Sequence, residues 1–249
     1  MIDSAPLHQI LFLDIETVPQ QRQFADLDET FQELWYYKAK SILRKDETEL
    51  TDQDISGVYE RAGIYAEFGK IVCISVGVVS SDPTSGALSC RLKSFCGDDE
   101  KALLTDFCAL LDKSYNNPEK NYLCGHNIKE FDIPYICRRM TIHRMQLPKL
   151  LDISGKKPWE TKFLLDTLEM WKFGDNKNYT SLKLLCGVFG FPSPKDDIDG
   201  SQVGKVYWEE QDTARIATYC QKDVLAVIQL LLCFKRMEII PEDQVSIVK

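Results

Sequence analysis

Near the start of the chain, Gln9-Ile10-Leu11-Phe12-Leu13-Asp14-Ile15 is a nearly unbroken apolar run. A strand with one wet face alternates apolar and polar residues; a run of this kind is the mark of a strand buried on both faces. It calls for a sheet covered by helices, and the rest of the chain supplies them. Residues 70–79 form a second β-rich run, and residues 88–95 alternate as a third strand after the turn Asp82-Pro83-Thr84-Ser85-Gly86. The short turns predict a meander whose second strand runs antiparallel to the first. Asp98-Asp99-Glu100 then opens a helix carrying Leu103, Leu104, Phe107 and Leu111 at helical spacing. A short strand at 122–124 leads through Gly125-His126-Asn127 to a helix with Pro134 in its first turn. Leu164-Leu165 predicts a fifth strand, followed by a helical turn around 168–171, a short helix over 180–188 and a long one over about 209–237. The fold class is α/β, with one mixed sheet flanked by helices. Residues 20–68 interrupt it as an acidic helical insertion between strands 1 and 2, carrying Trp35-Tyr36-Tyr37.

Composition narrows the function. A net charge of −8 argues against a protein that grips a long duplex, since phosphate binding usually demands a basic face. It is compatible with an enzyme that holds a few nucleotides and borrows positive charge from divalent cations. The nine cysteines show no C-x-x-C pair and sit mostly among apolar residues, the pattern of reduced core thiols in a cytoplasmic protein and not of a zinc site. No stretch of about 18 uninterrupted apolar residues suggests a membrane span, and Met1-Ile2-Asp3-Ser4 does not begin a signal peptide.

Three groups of residues carry chemistry. Asp14 and Glu16, two apart at the end of the first strand, point to one face and repel each other unless a cation lies between them. Alone, the pair also reads as a strand running into a polar turn. Asp132, after Asn127 and Phe131, stands at a helix start, where it could equally be a cap. Tyr219 and Asp223 share a face of the last helix at i, i+4 spacing, where an Asp beside the apolar stripe needs a partner. Asp166 reads as a cap or as support for a ligand, and Lys195 as a loop lysine or a phosphate contact. Asp197-Ile198-Asp199-Gly200 is no calcium loop, because Lys195 and Val206 stand where ligands are required. Asn178-Tyr179-Thr180 fits a glycosylation sequon with no sign of secretion. His126 and His143 lack metal-ligand spacing, and Trp159, Trp171, Phe173 and Tyr179 read as core more readily than as base-stacking groups.

At these residues the sequence resembles the DEDD exonuclease superfamily, in the branch whose third motif carries tyrosine. Asp14 and Glu16 match its first motif, Asn127 with Phe131-Asp132 its second, and Tyr219 with Asp223 its third. The resemblance is to stand-alone bacterial proteins similar to the proofreading domain of family B polymerases. It runs over about residues 9–236, with segments 155–159, 165–167 and 197–201 adding to it and residues 20–68 matching least. It implies a ribonuclease H-like fold with a five-stranded mixed sheet, forming one domain over 1–249. It also implies a 3′→5′ exonuclease that hydrolyses terminal phosphodiesters of single-stranded nucleic acid, DNA favoured, and releases nucleoside 5′-monophosphates. Asp14, Glu16 and Asp223 would hold one Mg²⁺ or Mn²⁺, and Asp14 would bridge to a second near Asp132. One ion activates water and the other stabilises the leaving 3′ oxygen. Tyr219 would position the water or accept its proton; with an ordinary pKa of about 10, positioning is the easier role. Thr17, Asn127 and Phe131 are the implied substrate contacts. Two other readings of the same fold are a non-catalytic nucleic-acid-binding module and a protein-interaction module that docks through residues 20–68.

Overall fold

The apolar run becomes the middle of a sheet. In the computed structural model, which describes residues 5–175, 177, 179–193 and 197–248, β1 (Ile10–Pro19) lies between two neighbours and is buried along most of its length. β2 (Gly69–Ser81) runs antiparallel to β1, and β3 (Leu88–Cys96) antiparallel to β2, as the meander required. β4 (Tyr122–Gly125) joins the other edge of β1 in parallel, and β5 (Leu164–Asp166) pairs with β4. The expectation of five strands needs correction. β6 (Val245–Val248) pairs parallel to β3, giving the order β5-β4-β1-β2-β3-β6. This edge strand is mostly exposed, so it carries no burial pattern; backbone pairing with β3 makes it a strand.

Residues 20–68 are helical as expected, with α1 (Glu29–Leu43) and α2 (Asp52–Val58) followed by a 3₁₀ segment, Tyr59–Ile64. Trp35 is the centre of this region. It is fully buried, meets Tyr59 and Phe68 edge-on with centroids at 5.3 and 5.1 Å, and donates from Nε1 to the Ile55 carbonyl at 3.2 Å.

Period-two alternation sorts β1 between two cores. Leu11, Leu13 and Ile15 pack with Leu104 and Phe107 of α3 (Glu100–Ser114) and with Ile133, Ile136 and Met140 of α4 (Asp132–Ile142). Three short helices follow: α5 (Thr167–Lys172), α6 (Leu182–Phe189) and α7 (Val203–Lys205). Ile10 and Phe12 face the other way, against Val224, Val227, Ile228 and Leu231 of α8 (Thr213–Phe234). By length and composition α8 could cross a membrane, but most of it is buried inside the protein. It also begins later than the apolar spacing suggested. A π-helical turn, Val206–Glu210, ends at Gln211 with φ 55°, and Asp212 then caps α8 by accepting from the Arg215 amide at 2.9 Å.

The aromatic residues assigned to the core divide. Trp171 stacks on Phe234 with centroids at 6.3 Å, whereas Trp159, Phe173 and Tyr179 are 62%, 84% and 68% exposed. Trp159 sits in a single 3₁₀ turn, Pro158–Glu160, and the other two in turns or irregular chain, too short for any period to mark a buried side. Lys195 and Asn178 lie outside the described residues.

Candidate active site

Asp14 and Glu16 continue the even-numbered face of β1 and so project toward α8, Glu16 buried and Asp14 half-buried. The strand's other edge is open here. Pairing with β4 ends at Phe12 opposite Cys124, and the chain turns away at Gly125. A Cβ at Gly125 would stand 2.9 Å from Ile128 Cβ and 3.0 Å from the Leu13 carbonyl, so only glycine fits this close approach. The Ile15 amide, between the two acidic residues, therefore donates to Asp132 Oδ1, at 3.1 Å. On the β2 side, pairing shifts from Glu16 opposite Cys73 to Thr17 opposite Ile71, a bulge that changes the strand's course where the carboxylates end.

Asp132 is the first residue of α4 and almost fully buried. The loop before it is shaped by Asn127, which has a left-handed backbone (φ 64°), a conformation asparagine tolerates better than most residues. Its carbonyl accepts the amides of Glu130 and Phe131. Asp166 pins this loop. It caps α5 through the Leu168 and Glu169 amides at 2.9 and 3.3 Å, and it accepts the Asn127 and Lys129 amides at 3.0 and 3.1 Å. Cap and support are thus one role.

α8 closes the site. Tyr219 and Asp223 are 6% and 8% exposed, and the charge of Asp223 acts on the Tyr219 hydroxyl. Cys220, between them in sequence, directs its thiol at Asp14, 3.4 Å from the carbonyl and 3.5 Å from Oδ2. Ligand atoms of Asp14, Glu16 and Cys220 all lie within 4.8 Å of one another, the one grouping this tight among the described residues. In the sequence alone, Cys220 reads only as a core thiol. Its position three before Asp223, on the same helical face, was the available signal.

The electrostatics are those of crowded negative charge. Burial, then the charges of Cys220, Asp223, Asp132 and Glu16, raise the Asp14 carboxyl well above its usual value. Burial is also the main cause that lifts Asp132 to about 7; its own amide and that of Ile15 oppose the rise, while Asp166 and Asp223 add to it. Tyr219 is raised by burial first and then by Asp223, Glu16 and Asp14, which keeps its hydroxyl protonated at neutral pH.

A pH dependence follows for the metal-free protein. The unfolded chain releases the Asp132 proton near 3.8 and the folded chain near 7. Between those values the folded state holds more protons, so stability falls as pH rises through the window. Thermal unfolding in chelator at pH 5 and pH 8 should show a loss larger by on the order of 2 kcal/mol in the unsubstituted protein than in Asp132→Asn. Equal pH slopes for the two proteins would contradict the crowding.

The structure thus gathers Asp14, Glu16, Asp132, Tyr219 and Asp223 at one end of β1. It does not bring Thr17, Asn127 and Phe131 into the same cluster. Phe131 packs on Tyr135, with centroids at 5.5 Å, and Asn127 acts through its backbone. Thr17 lines a neighbouring cavity. Exposed Tyr179, by contrast, lies close enough to Asp166 and Asp132 to feel their charges. His126 bonds Thr167 and the Thr180 carbonyl at 3.0 and 3.2 Å, a structural role.

Residues 64–243 match the family described as "Predicted 3'-5' exonuclease related to the exonuclease domain of PolB". That span includes Asp132, Tyr219 and Asp223, while Asp14 and Glu16 precede it. No curated protein matches the sequence. Among solved structures, the fold is similar to part of the family B DNA polymerase from the hyperthermophilic archaeon Pyrobaculum calidifontis, with a TM-score of 0.54 at 15% identity. The match covers 92% of this chain and 24% of that one, so the chain spans about a quarter of the polymerase's length. At that identity the likeness is one of fold, a mixed α/β sheet with flanking helices. Because the family match spans well over half of its length, the chain belongs to the family of predicted 3′-5′ exonucleases related to the exonuclease domain of PolB.

Proposed function

We propose that this chain is a metal-dependent 3′→5′ exonuclease of the tyrosine branch, with a ribonuclease H-like domain over 1–249. It hydrolyses the terminal phosphodiester of a single strand, DNA favoured, and releases nucleoside 5′-monophosphates. One observation carries the reading: Asp14 is crowded by Asp223, Asp132 and Glu16, carboxylates drawn from three separate elements, at a cost in repulsion that a bound cation would reverse. Nothing comparable favours a non-catalytic module. The nine free thiols suit a reducing compartment such as the cytoplasm.

The donor set fits hard divalent ions, since its members are carboxylates apart from the Cys220 thiol. Asp14, Glu16 and Asp223 would hold one ion, and Asp14 with Asp132 a second. When bound, Mg²⁺ or Mn²⁺ supplies charge for the phosphodiester oxygens and makes water more acidic. The protein's part is placement. The Ile15 amide fixes the Asp132 carboxylate, and burial beside Asp223, Glu16 and Asp14 keeps the Tyr219 hydroxyl protonated. A hydroxyl held protonated at neutral pH takes up no further proton; Tyr219 therefore orients the attacking water and is not its base.

Tyr219→Phe should accordingly lower kcat by roughly 10²-fold with KM nearly unchanged and with the same pH profile. Loss of one limb of that profile would instead make Tyr219 the base. The activity itself is tested with a 5′-labelled single strand and Mg²⁺ or Mn²⁺. Labelled products should shorten stepwise, and chelator should stop them. Release of the labelled 5′ nucleotide first would contradict the polarity.

A further inference from the structure

Beyond Thr17, β1 runs beside a cavity of about 830 Å³, toward the upper end of the roughly 300–1,000 Å³ usual for ligand sites. Three stretches of sequence wall it: one within 17–25, where β1 runs into the insertion, one within 56–64 near the insertion's end, and the turn around α7 within 200–209. Arg22, Arg61 and Lys205 line it, against two carboxylates, Glu60 and Glu209. All three cations are exposed. None makes an ion pair or side-chain hydrogen bond with a described residue, whereas Lys45, Lys129, Arg139 and Arg215 are all paired. In a chain of net charge −8, this lining carries an excess of positive charge, three cations against two carboxylates. Phe24, Tyr59 and Trp208 add apolar lining. Thr17, next to Glu16 in sequence, connects this lining to the carboxylate end of β1.

We propose that this cavity binds the sugar-phosphate backbone of the single strand being cleaved, with Arg22, Arg61 and Lys205 as phosphate contacts. The assignment rests on the exonuclease reading and gives the insertion, most of which precedes the family match, the task of holding substrate. Such contacts are independent of base sequence and sensitive to salt. They also answer how an acidic protein retains a polyanion: positive charge is placed beside the catalytic end instead of being spread over a basic face.

The test substitutes Arg22→Ala, Arg61→Ala and Lys205→Ala together in the full chain. Binding of a fluorescent single-stranded oligomer is measured over a range of salt concentrations with Mg²⁺, in an Asp14→Asn background so that the strand is not consumed. Affinity should fall by at least about tenfold, and the slope of log K against log salt should shrink by about 0.7 for each phosphate no longer neutralised. In the active background, hydrolysis of the 4-nitrophenyl ester of thymidine 5′-monophosphate, which carries one phosphate and no further sugar-phosphate backbone, should stay within about twofold. Arg22→Lys with Arg61→Lys should keep the slope. Oligomer binding that is absent in the background, or unchanged in affinity and slope by the alanines, would overturn the proposal. So would ester hydrolysis that falls in step with binding. If the otherwise unsubstituted protein fails to hydrolyse the ester, the exonuclease reading fails, while the binding arm still judges the cavity.

Discussion

Asp14→Asn should cut metal-dependent strand cleavage by at least about 10³-fold and leave the metal-free protein no less stable. The two halves have one cause. Asp14 is the member of the cluster on which Asp223, Asp132 and Glu16 all act, and each raises its carboxyl. Removing its charge deprives both proposed ions of their shared ligand. In the empty site the same change relieves repulsion, so the usual penalty for altering a half-buried polar residue does not apply. Asparagine retains the shape and still offers an oxygen to the Cys220 thiol, now at 3.5 Å from Oδ2. The paired readouts are turnover on a labelled strand and thermal unfolding in chelator at pH 8. Wild-type turnover would remove Asp14 from the chemistry, and a large drop in Tm would make it a structural residue.

Arg139→Ala should destabilise the fold by about 3–5 kcal/mol, or about 10 °C in Tm for a chain of this size. Arg139 and Glu100 are 7% and 5% exposed and form a two-pronged pair at 2.9 and 2.6 Å. Arg139 also donates to the Ala66 carbonyl at 2.8 Å, while Glu100 accepts the Ile71 amide at 2.7 Å and faces His143 Nε2 at 2.7 Å. Burial pushes the Glu100 carboxyl up, but the hydrogen bonds from Arg139, His143 and Ile71 outweigh it and leave the group below its usual value. Without Arg139, Glu100 would be buried with most of that compensation gone. The knot ties α3 and α4 to β2 and to the end of the insertion, so activity should weaken as well. Urea unfolding of Arg139→Ala beside the double variant Glu100→Gln/Arg139→Leu separates the unpaired charge from poorer packing. A single variant no worse than the double would refute that assignment.

How much of this was legible in the sequence depended on whether a residue's role follows from its neighbours along the chain. The burial of β1 on both faces follows from its nearly unbroken apolar run, and the shared face of Asp14 and Glu16 from period two. The i, i+4 placement of Tyr219 and Asp223 is a consequence of helical geometry. Asp132 at a helix start was readable, but its bond to the Ile15 amide was not, because that depends on β4 stopping at Gly125. Cys220 was hidden for a related reason: a thiol among apolar residues gives no local sign that a strand 206 positions away will present a carboxylate to it. β6 lacked a burial pattern, and the break at Gln211 left the apolar spacing undisturbed. Thr17 was named as a substrate contact, yet the cavity beside it required three distant segments to meet.

The most direct test is a titration of the metal-free protein with Mn²⁺, followed by the paramagnetic resonance of the free ion. Saturable uptake by the unsubstituted chain, weakened at least about tenfold by Asp14→Asn and by Asp223→Asn with the fold intact, is the expected result. An absence of saturable uptake, or uptake indifferent to both substitutions, would mean that these carboxylates do not form a metal centre.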